Sequence, residues 1–182
     1  MKRSVLVNAA VFQGNWFVVI LGAAAGLPWL GILSSLGFVL GFAALTRRWA
    51  GTLTLAAASA LLGYAADSAL VIGGVLGFPE GTRLGGPSTL WMVALWAAIA
   101  CTLHSSMRWL QGRPLLGAVF GALGGAGSYY AGMRLGAVEF PAGDAAGAVA
   151  AGGLWLVAMP LLAWLAPRLD PVTPNAAGAP AP

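Results

Sequence analysis

The chain has 182 residues, of which 59% are hydrophobic and 8% are charged; a soluble domain carries about 25% charged residues. So few charges cannot cover the surface of a soluble domain of this length, which disfavours a soluble enzyme and a disordered chain. The nine Lys and Arg against five Asp and Glu are scattered rather than gathered in the aromatic-flanked basic patch of a nucleic-acid site, so no nucleic-acid partner is expected.

A membrane-crossing helix needs about 20 mostly apolar residues. Six stretches qualify: 5–25, 28–45, 52–78, 89–110, 114–138 and 145–166. The first and second are separated by Gly26-Leu27-Pro28, since glycine ends helices and proline starts them. Arg47-Arg48 closes the second. Pro79 and the Gly85-Gly86-Pro87 run mark a loop after the third. Gly112-Arg113-Pro114 and Pro141-Ala142-Gly143 punctuate the remaining joints, and Pro160 is expected to kink the sixth span. The fold class is therefore an all-α polytopic helix bundle with six transmembrane helices in one domain, 1–166. A Pro- and Ala-rich tail, 167–182, is expected to be disordered.

Basic residues favour the cytoplasmic ends of spans. With the N-terminus inside, Lys2, Arg3, Arg47, Arg48, Arg108, Arg113 and Arg168 lie on the cytoplasmic side, and Arg83 and Arg134 on the other. Both termini are thus expected in the cytoplasm, the tail included. Lys2-Arg3, the following apolar run and Ala23-Ala24-Ala25 also resemble a signal peptide, but Asn8, Gln13 and Asn15 interrupt the core such a peptide needs. The halves of the chain show no internal repeat, which argues against an inverted-repeat transporter.

Polar residues are the informative ones in hydrocarbon. Tyr64, Asp67 and Ser68 have i, i+3, i+4 spacing and share a helix face expected to point into the bundle. Asp67 is placed to pair with Arg134, as a structural ion pair or as a charge facing a ligand; alternatively Arg134 snorkels outward. Asn8, Gln13, His104, Ser105 and Arg108 are expected to form a second cluster nearer the cytoplasmic face, His104 and Arg108 being one turn apart. His104 either hydrogen-bonds a neighbouring helix or handles a proton or headgroup. Tyr129 adds a hydroxyl in the fifth span. The candidate ligand-binding set is Asn8, Gln13, Tyr64, Asp67, His104, Ser105, Tyr129 and Arg134, with no catalytic or metal-binding residue assigned and no cofactor implied. Cys101 reads as a small packing residue, and several tryptophans as aromatic belts, with Trp96 deeper in the bundle. Gly117, Gly121 and Gly125 form a close-packing stripe that places the fifth span at the bundle centre or at a homo-oligomer contact.

Residues 8–17 (NAAVFQGNWF), 63–68 (GYAADS), 95–110 (LWAAIACTLHSSMRWL) and 114–138 together resemble an uncharacterised bacterial inner-membrane family, the domain of unknown function 2878. Asn8, Gln13, Trp16, Asp67, Thr102, His104, Ser105, Trp109, Ser128, Tyr129, Gly132 and Gly136 carry the resemblance, which covers most of the chain except the tail. At Leu123-Gly124-Gly125 it implies a proline-containing turn that this sequence lacks. The family has no established activity. Its members tend to be encoded near enzymes of fatty-acid or phospholipid modification, which implies a lipid connection. The favoured expectation is binding or transport of a small or lipidic molecule in a polar cavity between helices. The alternatives are an assembly or scaffold partner of a lipid-modifying enzyme, and an intramembrane lipid-modifying enzyme. The enzyme reading is disfavoured because His104 and Asp67 lie at different depths, with no nucleophile–base spacing.

Overall fold

The computed structural model describes residues 2–169. Six α-helices follow one another: α1 (Lys2–Ala24), α2 (Pro28–Thr46), α3 (Trp49–Ile72), α4 (Leu90–Leu103), α5 (Pro114–Arg134) and α6 (Asp144–Leu169), with short 3-10 turns at Glu80–Thr82 and Arg108–Leu110. No strand occurs among the described residues; a single antiparallel bridge joins Gly77 to Glu139. Helices α1, α2, α3 and α6 are long and apolar enough to cross a membrane. Their outward faces are apolar too: Leu45, Leu61, Ile72 and Val149 are all at least 71% exposed. Water would penalise such a surface, and hydrocarbon accommodates it. Helix α5 is of similar length but richer in glycine, and α4 has 14 residues.

Turn chemistry explains the boundaries. Gly26 takes φ +73°, and its N–H and that of Leu27 return to the carbonyls of Ala23 and Gly22, at 2.9 and 2.8 Å, before Pro28 opens α2. Arg47 ends α2 in the left-handed region at φ 57°. Helix α6 continues through Pro160 and Pro167 to Leu169, so the first residues assigned to the tail are helical; residues 170–182 lie outside the described residues. Helix α5 is likewise unbroken across Leu123-Gly124-Gly125, with no turn there.

The bundle is a ring around one helix. Eleven of the fourteen residues of α4 are buried, and it packs against α1, α2, α3 and α6. Around it, α1 packs on α2, α2 on α3, α3 on α6 and α6 on α5. The glycine stripe therefore does serve close packing, but at the ring's edge. A Cβ on Gly121 would lie 2.3 Å from the Trp155 carbonyl oxygen, and one on Gly125 would lie 2.4 Å from the Trp155 indole. The central position expected for α5 belongs to α4, whose large side chains are surrounded by protein and whose length need not match the bilayer.

The fourth span also ends sooner than its apolar run suggests. After Leu103 the chain turns through His104, Ser105, Ser106 and Met107. Side chains that bond nearby backbone compete with the helix there. Thr102 Oγ1 donates to the Ile99 carbonyl at 2.7 Å, and Gln111 Nε2 to the Leu103 carbonyl at 2.9 Å. His104 and Arg108 consequently do not share a helical face.

Candidate functional site: an aromatic cavity beside a buried carboxyl group

A cavity of about 450 Å³ lies between α1, α4, α5 and α6. Its back wall is Met92, Leu95 and Trp96 from α4 with Trp155 and Met159 from α6. Phe12, Gln13 and Trp16 of α1 and Phe120, Gly124 and Ser128 of α5 form its sides. The lining is overwhelmingly apolar and aromatic, not polar as expected. The reason is that Asn8, Asn15, Ser59 and Asp67, all buried, bind other side chains or the backbone instead of facing the space.

Asp67 illustrates this. It is fully buried on α3, and each carboxyl oxygen has one donor: Trp96 Nε1 donates to Oδ2 at 2.9 Å and the Tyr129 hydroxyl to Oδ1 at 2.6 Å. Trp96 in turn stacks on Trp155, with ring centroids 4.1 Å apart and planes 14° apart. Gly63, one turn before Asp67, is required here: its Cβ would lie 2.1 Å from the Trp96 ring. Ser59 Oγ donates to the Trp96 carbonyl at 2.6 Å. One face of α3 thus fixes the indole that walls the cavity. Asp67 holds Trp96 and Tyr129 from behind and does not itself line the space.

The expected Asp67–Arg134 ion pair is not formed; Arg134 is exposed in the last turn of α5. Two aromatic donors satisfy the carboxyl group more closely than a long side chain reaching down from the helix end. Tyr64 also departs from the Asp67 cluster. Its hydroxyl donates to the Gly86 carbonyl at 3.0 Å, because the inward position on that turn is taken by Trp96 against Gly63. Ser68 does face inward, accepting the Ser88 N–H at 3.2 Å.

The second cluster assembles in part. Asn8 Oδ1 accepts from Ser106 Oγ at 2.7 Å and from Ser106 N–H at 3.3 Å, while its Nδ2 meets the Cys101 carbonyl at 3.4 Å. Asn8 thereby ties α1 to the end of α4, beside His104 and Ser105. His104 is 9% exposed and Arg108 is exposed. None of these residues lines the cavity. Gln13 separates from them and lines it, with no hydrogen bond to another described residue. Asn15 has a different role, joining α1 to α2 through Ser34 Oγ, which donates to Oδ1 at 2.6 Å, and Ser35 Oγ, which accepts from Nδ2 at 3.2 Å.

Of the eight candidates, Gln13 and Tyr129 line the cavity and Asp67 braces it. Asn8, His104 and Ser105 lie by the end of α4, and Tyr64 and Arg134 lie elsewhere. Sequence reasoning passed over Trp155, Met159 and Phe120 as lining residues, and Gly124 and Ser128 entered it only with the family resemblance. The spacing Gly121–Gly125 was a usable signal, since glycines one turn apart accept a large ring from a neighbouring helix; which ring was not encoded locally.

No curated protein and no solved structure matches the chain. The family model described as Protein of unknown function (DUF2878) matches residues 5–161, and the chain belongs to that family.

Proposed function

We propose that the chain is a multi-pass protein of the bacterial cytoplasmic membrane, with both termini in the cytoplasm, that binds a lipidic molecule in the cavity between α1, α4, α5 and α6. The observation that carries this reading is the cavity itself: about 450 Å³, aromatic-walled and set among helices suited to hydrocarbon. Ligand sites of this size are typically apolar with a few placed polar groups, and Gln13, Ser128 and Tyr129 supply those groups here. The ring of small side chains along α5 leaves room for the ligand, while the Asp67–Trp96–Tyr129 bonds keep the wall from collapsing inward.

Gly124 offers a specific test. A Cβ there meets nothing within 4 Å, and the residue lines the cavity. Gly124→Leu therefore fills the space without opposing the fold. Gly127 on the same helix is equally unobstructed but does not line it, so Gly127→Leu is the matched control. Whole-lipid mass profiles of a deletion strain complemented with wild type, Gly124→Leu or Gly127→Leu should show one lipid species altered by the deletion. Wild type and Gly127→Leu should restore it, and Gly124→Leu should not. Equal restoration by all three, at equal protein levels, would remove the cavity from the function.

A further inference from the structure

We infer that the seam between α1 and α5 is a lateral entrance through which a single acyl chain of a bilayer lipid slides, at mid-depth, into the cavity. This rests on the lipid-binding reading above and adds the ligand's shape and its route. In the ring around α4, α1 packs on α2, α2 on α3, α3 on α6 and α6 on α5, whereas α5 and α1 scarcely meet. At one end these two converge: Gly132 comes to 3.6 Å of Ile20 Cδ1, and Gly136 to 4.0 Å of Ala24 Cβ, each measured from an ideal Cβ. Toward the other end the seam bounds the cavity. The exposed lining residues Gln13, Gly124 and Phe120 all sit on its two lips, whereas the back wall is buried, with Trp96 at 1%, Met92 at 4% and Met159 at 5% exposure.

Depth shows what faces this opening. Gln13 is ten residues beyond Arg3, or about 15 Å along α1, which is mid-depth in a hydrocarbon core about 30 Å thick. Water does not reach the lip; acyl chains do. The cavity extends along α5 from Phe120 to Gly132, roughly 18 Å at the helical rise. One leaflet's acyl chain covers about 15 Å, half the core thickness. A transmembrane helix of a partner or a second copy, about 10 Å across, cannot follow the seam to its closed end, where an ideal Cβ on Gly132 already lies 3.6 Å from Ile20 Cδ1.

Among the described residues, one side-chain hydrogen bond crosses the seam. Trp16 Nε1 donates to Ser128 Oγ at 2.9 Å, reaching from α1 to α5 directly above Gln13 by one helical turn. This bond is a strap that must yield or swing for the chain to pass. The amide of Gln13, which bonds no other described residue, sits beside the path and can bond a carbonyl or hydroxyl of the entering lipid.

The probe is a phosphatidylcholine carrying a diazirine at the end of one acyl chain, in phosphatidylethanolamine/phosphatidylglycerol vesicles holding the full chain. Photolysis should label the buried back wall at Met92 and Met159, as well as lipid-facing Leu123 and Leu161. A Cys101→Ala, Gln13→Cys, Gly124→Cys variant tethered across the lips with a short bis-maleimide should lose the back-wall labels and keep the outer ones. The same variant before tethering is the reference, so the loss is read as the tethered-to-untethered ratio at each labelled site. Trp16→Phe should speed back-wall labelling about fivefold, the weight of one neutral hydrogen bond. Back-wall labelling that survives the tether overturns the lateral entrance and leaves lipid binding standing. Absence of back-wall labelling in the wild type overturns the entrance; if no lipid copurifies with the protein either, the lipid-binding reading falls with it. A photo-crosslinked dimer replacing the lipid adduct assigns the seam to a second copy and also overturns the proposal.

Discussion

Asp67 is one carboxyl group buried among apolar helices, and two donors explain how the fold tolerates it. Each oxygen accepts one bond, from Trp96 or from Tyr129, and unmet buried acceptors are penalised by about 1–3 kcal/mol. Asp67→Ala leaves the Trp96 N–H and the Tyr129 hydroxyl without their shared acceptor. It is expected to lower unfolding stability by about 1–3 kcal/mol in detergent. Tyr129→Phe leaves Oδ1 without its partner and should do similar damage. Because both remove the same contact, the double variant should fall well short of the sum; strict additivity in the unfolding free energies contradicts the shared bond. Glycines give a second contrast at this scale. Gly63→Ala drives a methyl into the Trp96 ring and Gly125→Ala drives one into Trp155, an overpacking worth about 1–3 kcal/mol or more. Gly124→Ala points into open space and should stay within about 0.5 kcal/mol of wild type. Melting curves of the three side by side check the ranking.

Among the elements, α4 shows most clearly what the sequence reveals and what it hides. Its apolar run continues to Leu110, so a span of 89–110 follows from composition, yet the helix stops at Leu103. Past the stop, Asn8 holds Ser106, 98 residues away in sequence, and no local pattern reports that contact. Asn8→Ala should release the turn after α4. The Ser106 amide, which now donates to Asn8 Oδ1, should then exchange hydrogen faster while amides in the middle of α4 stay protected. Uniform loss of protection along α4 would show that Asn8 supports the whole helix instead. The long helices were far more legible: α1, α2 and α6 begin and end within a few residues of the apolar runs, because Gly26, Pro28 and Arg47 act locally. Which face each helix turns inward was not legible. A helix flanked by lipid on one side and protein on the other is apolar on both, so the amphipathic signal that identifies the core face of a soluble helix is weak. That is why Gln13 and Tyr129 could be named while the aromatic wall around them could not.

For the molecule as a whole, the ring of helices, the short enclosed α4 and the cavity behind the α1–α5 seam form one arrangement. Glycines pack α5 closely on α6, and the cavity lies between this pair, α1 and α4, with the braced Trp96–Trp155 stack in its wall. The orientation proposed for this arrangement has its own check. Single cysteines placed in the Arg47-Arg48 turn and beside Arg83, on a Cys101→Ala background, should react with a membrane-impermeant maleimide only at the Arg83 position in intact spheroplasts. Labelling of the Arg47 turn alone would invert the protein. Most direct for the central claim is native mass spectrometry of the protein released from nanodiscs. The account predicts a bound lipid on wild type and Gly127→Leu, absent from Gly124→Leu of equal thermal stability. Identical lipid occupancy in all three, or none in any, contradicts it.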